Sequence, residues 1–208
     1  DLHNFYNVPR HKLFPIKLGF NNKKYYPIIN IRKKFFLIIG RHNPHKNLER
    51  VIKAFSFAKI KNYKLIFVGS FDIRHTPSLI KIIDELNIGH LCVWKGWIND
   101  DEKLLLLNEC HALIIASLWE GFGLPALEAM ACGTPVIAAK RGALPEVLGK
   151  YGYFVNPFKI QSIAFAMKAV IDDKNCFKKA LAVGPKRAAS FNWSNTAREI
   201  EKIIQKID

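Results

Sequence analysis

Short apolar runs that stop at a glycine recur along this chain, separated by stretches whose apolar residues return every three or four positions. Residues 35–39 run into Gly40, residues 64–68 into Gly69, and residues 91–94 lead to Gly96. A continuous apolar run of this length suits a parallel strand covered on both faces. Between the runs lie amphipathic helices. Leu48, Val51, Ile52 and Phe55 share one face of a helix over 48–59, with Asn47 as its expected cap. Helices are also expected over 78–86, 100–109 (capped by Asn99 or Asp100), 124–131, 143–147, 160–171, 174–189 and 195–206, the last capped by Ser194. Further strands fall at 111–116, 135–138 and 153–155. Six strands alternating with helices predict an α/β, doubly wound, Rossmann-like parallel sheet. Ligands of such sheets sit outside the carboxyl ends of the strands. That rule gathers Arg41, Lys46, Ile98 and Glu120 near one crevice.

The densest of these strand ends is Ser117 to Ile137, SLWEGFGLPALEAMACGTPVI. Gly121 and Gly123 permit positive φ and close backbone approach by a ligand. Pro125 suits the first turn of a helix, where its missing N–H is not needed. The amino end of the 124–131 helix then faces the loop and favours an anion. Two acids flank it, Glu120 in the loop and Glu128 one helical turn in. Ionised carboxylates accept hydrogen bonds and repel phosphate. They therefore fit hydroxyl groups on either side of a phosphate, the layout of a nucleotide-sugar. The bland reading of either acid alone is a solvated surface residue.

The run E-G-F-G-L-P-A-L-E-A-M-A-C-G-T-P-V-I resembles the E-x7-E signature of the family 4 glycosyltransferases, retaining enzymes with the two-domain B-type glycosyltransferase fold. The resemblance implies that Glu120 positions the donor sugar and Glu128 binds the nucleotide ribose. It also implies backbone contacts to sugar and diphosphate from Gly121, Phe122, Gly123 and Leu124. Gly40-Arg41 with Lys46 matches the family's G-R-x4-K segment, implying cations on the leaving diphosphate, where charge grows as the glycosidic bond breaks. Lys95-Gly96-Trp97-Ile98 resembles the segment lining the base pocket. Gly142-Ala143-Leu144-Pro145-Glu146 resembles a G-G-x-P-E turn, with Glu146 read as a helix-capping residue. Phe191-Asn192-Trp193 is similar to the segment that leads into the terminal helix, with Trp193 as a packing anchor.

The resemblance covers about residues 15–206, the donor-binding half of such an enzyme. Residues 1–30 are expected to be an interdomain connector and the end of a missing amino-terminal domain, 31–190 the nucleotide-sugar domain, and 191–208 a terminal helix. The expected partners are a nucleotide-sugar donor and a glycan or lipid-linked acceptor. No cofactor and no metal are expected, the nucleotide-diphosphate sugar being substrate.

A net charge of +15 in 208 residues fits nucleic acid, an anionic membrane face or anionic small substrates. No nucleic-acid motif or aromatic stacking signature is recognisable, so nucleic acid is not an expected partner. Clusters such as Arg32-Lys33-Lys34 read as a solvated basic face. No apolar run approaches a membrane span, and the reading is cytoplasmic, with peripheral placement at the inner membrane face left open. Cys92, Cys110, Cys132 and Cys176 show no C-x-x-C pair and read as buried free thiols. His42 and His45 lack a second ligand pair, and His111 reads as a core or edge residue. Two alternatives remain: a non-catalytic basic binding module, and an epimerase or phosphorylase of the same fold.

Overall fold

The computed structural model describes residues 2–28 and 32–207. The expected domain boundary near residue 30 falls at 29–31, outside the described residues. Contacts divide the chain into two units, residues 22–189 and a smaller one formed by 1–21 with 190–208.

The larger unit is built on six parallel strands: β1 (Phe35–Ile39), β2 (Lys64–Val68), β3 (Cys92–Lys95), β4 (Ala112–Ile115), β5 (Val136–Ala139) and β6 (Tyr153–Val155). Their spatial order is β3-β2-β1-β4-β5-β6. The winding therefore reverses between β1 and β4, the switch point where such sheets bind ligands. β4 and β5 are buried at every position, whereas the edge strands β3 and β6 are largely half-buried. This is why the central runs carry no polar residue.

Helices cover both faces. On one lie α2 (Leu48–Ala58), α3 (Thr76–Glu85) and α7 (Ile160–Asp172), whose apolar stripes share a core with Phe36, Leu65, Phe67 and Ile114. On the other are α4 (Asp100–Glu109), α5 (Leu124–Ala131), α6 (Leu144–Leu148) and α8 (Cys176–Ala189). α5 and α8 approach closely at Gly184, where a Cβ would stand 2.5 Å from the Met130 carbonyl oxygen. Asn99 caps α4 as expected, its side chain accepting 2.8 Å from the Glu102 N–H.

Three expectations are corrected here. Asn47 does not cap α2. It is left-handed (φ 59°), and its amide instead donates to the Ala116 and Pro157 carbonyls at 2.9 and 2.8 Å. Asn tolerates that backbone, and its two amide hydrogens tie the start of α2 to the ends of β4 and β6. Arg32 is no part of a solvated face. Its guanidinium donates to the carbonyls of Leu107, Cys132 and Gly133 and to the Thr134 hydroxyl, and stacks over Phe177. Finally, α3 begins at Thr76, with Pro77 in its first turn.

In the smaller unit, α1 (Leu2–Tyr6) and α9 (Trp193–Ile207) flank the connector-like segment. Phe191 is buried, and its carbonyl accepts from the Phe20 N–H at 3.2 Å. The Thr196 hydroxyl donates to the Lys17 carbonyl at 2.8 Å. Trp193 is 57% exposed, so the expected packing anchor is Phe191 instead. What Trp193 contributes is backbone: a Cβ on Gly19 would stand 2.3 Å from its nitrogen. The cap of α9 is Asn192, accepting from the Asn195 N–H at 2.9 Å, and Ser194 lies inside the helix.

Among the described residues, no helix is long and apolar enough to cross a membrane. All four cysteines are free, and three are buried.

Candidate donor-binding site

β1 and β4 end side by side, and their following loops are tied by a hydrogen bond from the Leu118 N–H to the His45 carbonyl, 2.7 Å. Arg41, Lys46, Ser117, Glu120 and Pro125 line one crevice there. Lys46 Nζ lies 3.0 and 3.1 Å from the two carboxylate oxygens of Glu120. Both groups are largely withdrawn from water, the acid to 9% exposure and the lysine to 20%. The lysine reaches the acid across Gly40 (φ 141°), where a Cβ would meet Lys46 Cε at 3.2 Å. An ammonium has three donors. Two are spent on Glu120, which leaves the third for another acceptor. Arg41 beside it is exposed, and among the described residues none pairs with its guanidinium.

Glu120 is held from behind by the segment that resembled a G-G-x-P-E turn. Gly142 (φ 57°) packs so closely that a Cβ there would stand 2.5 Å from the Glu120 carbonyl oxygen. The Ala143 N–H donates to that same oxygen, and Arg141 Nε donates to the Leu118 carbonyl at 3.1 Å. At the start of α6, Ala143 offers no side-chain cap. The turn meets Glu120 through its glycine and its backbone.

Gly123 is the left-handed residue before α5 (φ 92°), buried against Leu144, while Gly121 has no positive φ and faces open space. Phe122 is half-buried and Leu124 43% exposed. At the helix end, Ala126 and Leu127 already donate to the Gly123 carbonyl and Pro125 has no N–H. Among the described residues, none accepts the N–H of Gly123 or of Leu124, which leaves these as the helix-end donors.

Glu128 lies one turn further along and is not part of the crevice around Glu120. Its Oε1 accepts from Lys103 Nζ at 2.8 Å. Burial pushes its carboxyl up, while the bond and charge of Lys103 pull it down. Ile98, half-buried in the β3–α4 loop, lies outside the Glu120 crevice, and its neighbour Trp97 is 81% exposed. The structure thus brings Gly40, Arg41, Lys46 and Glu120 together and leaves Ile98 and Glu128 on separate loops and turns of the same strand-end rim.

Sequence reasoning missed Lys103. One signal was present: a lysine near the amino end of a helix opposes the helix dipole and so calls for another partner. His42 was weighed only as a metal ligand. It is buried, its Nδ1 lies 2.8 Å from the Thr76 hydroxyl, and its ring stands edge-on to Trp94.

This is a doubly wound α/β domain with Arg41, Lys46 and Glu120 gathered in one crevice at the sheet's switch point. The profile of glycosyl transferases group 1 matches residues 22–187, and the chain belongs to that family. It is 29% identical over 168 residues to the serotype-specific mannosyltransferase WbdA of Escherichia coli, a match covering 79% of this chain and 21% of the relative. It is 30% identical over 228 residues to the alpha-1,3/1,6-mannosyltransferase ALG2 of Dictyostelium discoideum, covering 99% of this chain and 51% of the relative. Among solved structures, a sucrose-phosphate synthase from Thermosynechococcus elongatus superposes with a TM-score of 0.82 at 26% identity, over 92% of this chain and 52% of that one. The chain thus spans between about a fifth and about half of the length of these proteins. The sheet and its flanking helices match the B-type glycosyltransferase fold.

Proposed function

We propose that this chain is the donor-binding part of a retaining hexosyltransferase that transfers a sugar from a nucleotide diphosphate sugar to a glycan or lipid-linked hydroxyl. Relatives named as mannosyltransferases support mannose as the sugar. One observation carries the reading: a lysine and an acid paired beside an exposed arginine at the switch point of a group 1 domain. In the proposed mechanism Arg41 and the third N–H of Lys46 take the diphosphate, with the N–H groups of Gly123 and Leu124 facing it. Charge growing on the leaving phosphate is stabilised by fixed cations that need no reorganisation. Glu120, held by Lys46, orients the sugar hydroxyls, and Glu128 takes the ribose hydroxyls. Gly121 leaves room for the donor against the loop. The attacking hydroxyl passes its proton to the leaving phosphate on the same face of the sugar, so no protein base and no metal takes part. Acceptor contacts and a peripheral position at the inner membrane face belong to the proposal as well.

Binding is tested by melting the protein with UDP, GDP and ADP and with their sugar conjugates. A specific binder raises the melting temperature by linkage. The expected result is a rise with one nucleoside diphosphate and its sugar conjugate. No rise with any of them, together with salt-sensitive binding to polyanions, would replace this reading by that of a basic binding module.

A further inference from the structure

Glu128 sits in a charge network that reaches well beyond its own helix. Lys103 Nζ lies 2.8 Å from Glu128 Oε1 and 3.5 Å from Asp100 Oδ1, and 4.9 Å from the centre of the Tyr25 ring. The Tyr25 hydroxyl donates to Asp100 Oδ1 at 3.1 Å, and Lys24 pairs with Asp100 Oδ2. Tyr25 is almost wholly buried, Glu128 is 13% exposed and Lys103 20%. α4 and the segment before β1 thus close over the carboxylate and leave Oε2 as the oxygen not taken by Lys103.

We infer that Lys103 is a positioning residue for nucleotide binding: its ammonium fixes Oε1 of Glu128, so that Oε2 is presented to the ribose diol. The inference rests on the ribose-binding reading of Glu128. A ribose diol offers two hydroxyl donors, which an ionised carboxylate accepts without reorienting. A neutral carboxyl has a proton of its own to place and loses part of that acceptor capacity. Burial disfavours the charged form of Glu128, and the nearby Asp100 disfavours it further. Lys103 opposes both by a direct hydrogen bond and by its charge. Cys132, at the end of the same helix, feels the charge of Glu128, and Lys24 acts at one remove through Asp100. Of the other helices packed on α5, α8 sends Lys179 to Asp173 and Arg187 to backbone carbonyls of α6. Lys103 is therefore the ammonium bonded to this acid. A lysine in the first turns of a helix that opens with Asp100, Asp101 and Glu102 is poorly placed for the helix dipole, which is consistent with a role at Glu128.

The test compares the protein with Lys103→Met, Lys103→Gln and Lys103→Arg. The probes are UDP, GDP and ADP with their 2′-deoxy counterparts, titrated calorimetrically at pH 6.5 and 8.5. The ratio of variant to unaltered protein cancels the titration of the ligand itself. Lys103→Met is expected to bind the preferred ribonucleotide several-fold more weakly at pH 6.5, where a larger share of Glu128 is then protonated. It is expected to recover most of that loss at pH 8.5 and to lose preference for ribose over deoxyribose at the lower pH. Lys103→Arg keeps the charge and retains affinity at both. Carboxyl-labelled glutamate observed by NMR should show Glu128 titrating at higher pH in Lys103→Met and Lys103→Gln without ligand. A loss equal at both pH values with deoxy discrimination intact overturns the inference, as does an unmoved Glu128 titration. If the unaltered protein binds no nucleoside diphosphate, the donor-binding reading fails with it. If only the variants behave otherwise, the role of Lys103 alone fails.

Discussion

The ammonium of Lys46 bridges both oxygens of Glu120, at 3.0 and 3.1 Å, across the gap between the first and fourth strands of the sheet. The pair joins two loops that are 74 residues apart in sequence, at the point where the winding reverses. Each partner is withdrawn from water, so neither tolerates the loss of the other.

Lys46→Met is expected to lower stability by about 3 kcal/mol, because it strands a buried carboxylate. Lys46→Met combined with Glu120→Gln should be less damaging than the sum of the two single changes, since the double variant leaves no uncompensated charge. Urea unfolding of the four proteins reads the coupling. Under the proposed function, Glu120→Gln should also cut sugar transfer far more than nucleotide binding, and undiminished transfer would remove the sugar-positioning role from Glu120.

Gly142 and Gly121 separate folding from ligand access. Gly142→Ala puts a methyl group against the Glu120 carbonyl at a positive φ and should cost about 1–3 kcal/mol. It should displace the Glu120 loop and reduce transfer. Gly121→Ala meets nothing within 4 Å and should leave stability within about 0.5 kcal/mol. Its effect is expected on nucleotide-sugar affinity alone, measured by calorimetry, because the added methyl group occupies the donor's approach to the loop.

Two histidines are expected to make the fold sensitive to acid. Burial lowers both His42 and His111 below the ordinary histidine value. His111 Nε2 lies 3.2 Å from the Val170 carbonyl, which only accepts, so this nitrogen carries the proton and Nδ1 is left to accept from Tyr63. For each group the unfolded chain binds its proton first as pH falls. Their contribution is therefore complete above about pH 6.5 and is lost as pH falls from there through the folded-state value. Urea unfolding from pH 8 to 5 should show stability declining below pH 6.5. The limiting slope is about 1.4 kcal/mol per pH unit for each group. His42→Asn should make that slope shallower, and an unchanged slope would show that His42 titrates alike in both states.

The fold was legible because it rests on local pattern. Uninterrupted apolar runs such as Phe35–Ile39, and the three-and-four spacing of Leu48, Val51, Ile52 and Phe55, need no distant information to be read as buried strand and amphipathic helix. Asn99 could be read as a cap for the same reason, since its partner Glu102 lies three residues away. Ser194 could not, because Asn192, Ser194 and Asn195 all offer capping chemistry, and only the placement of Trp193 in the first turn selects Asn192.

The residue types at the strand ends fixed, from the sequence alone, where polar chemistry collects: Gly40 to Lys46 after one strand, Glu120 to Glu128 after another. Tertiary structure decided the pairings. Lys46 closes on Glu120, Lys103 comes from a helix 25 residues upstream to hold Glu128, Arg32 is drawn inward to carbonyls about 75 to 100 residues away, and Gly142 braces Glu120. The physical reason is range. Strand and helix periodicity are written into neighbouring side chains, but an ion pair or a close backbone approach depends on which loops the sheet order sets side by side. That order arises only when the whole chain has packed.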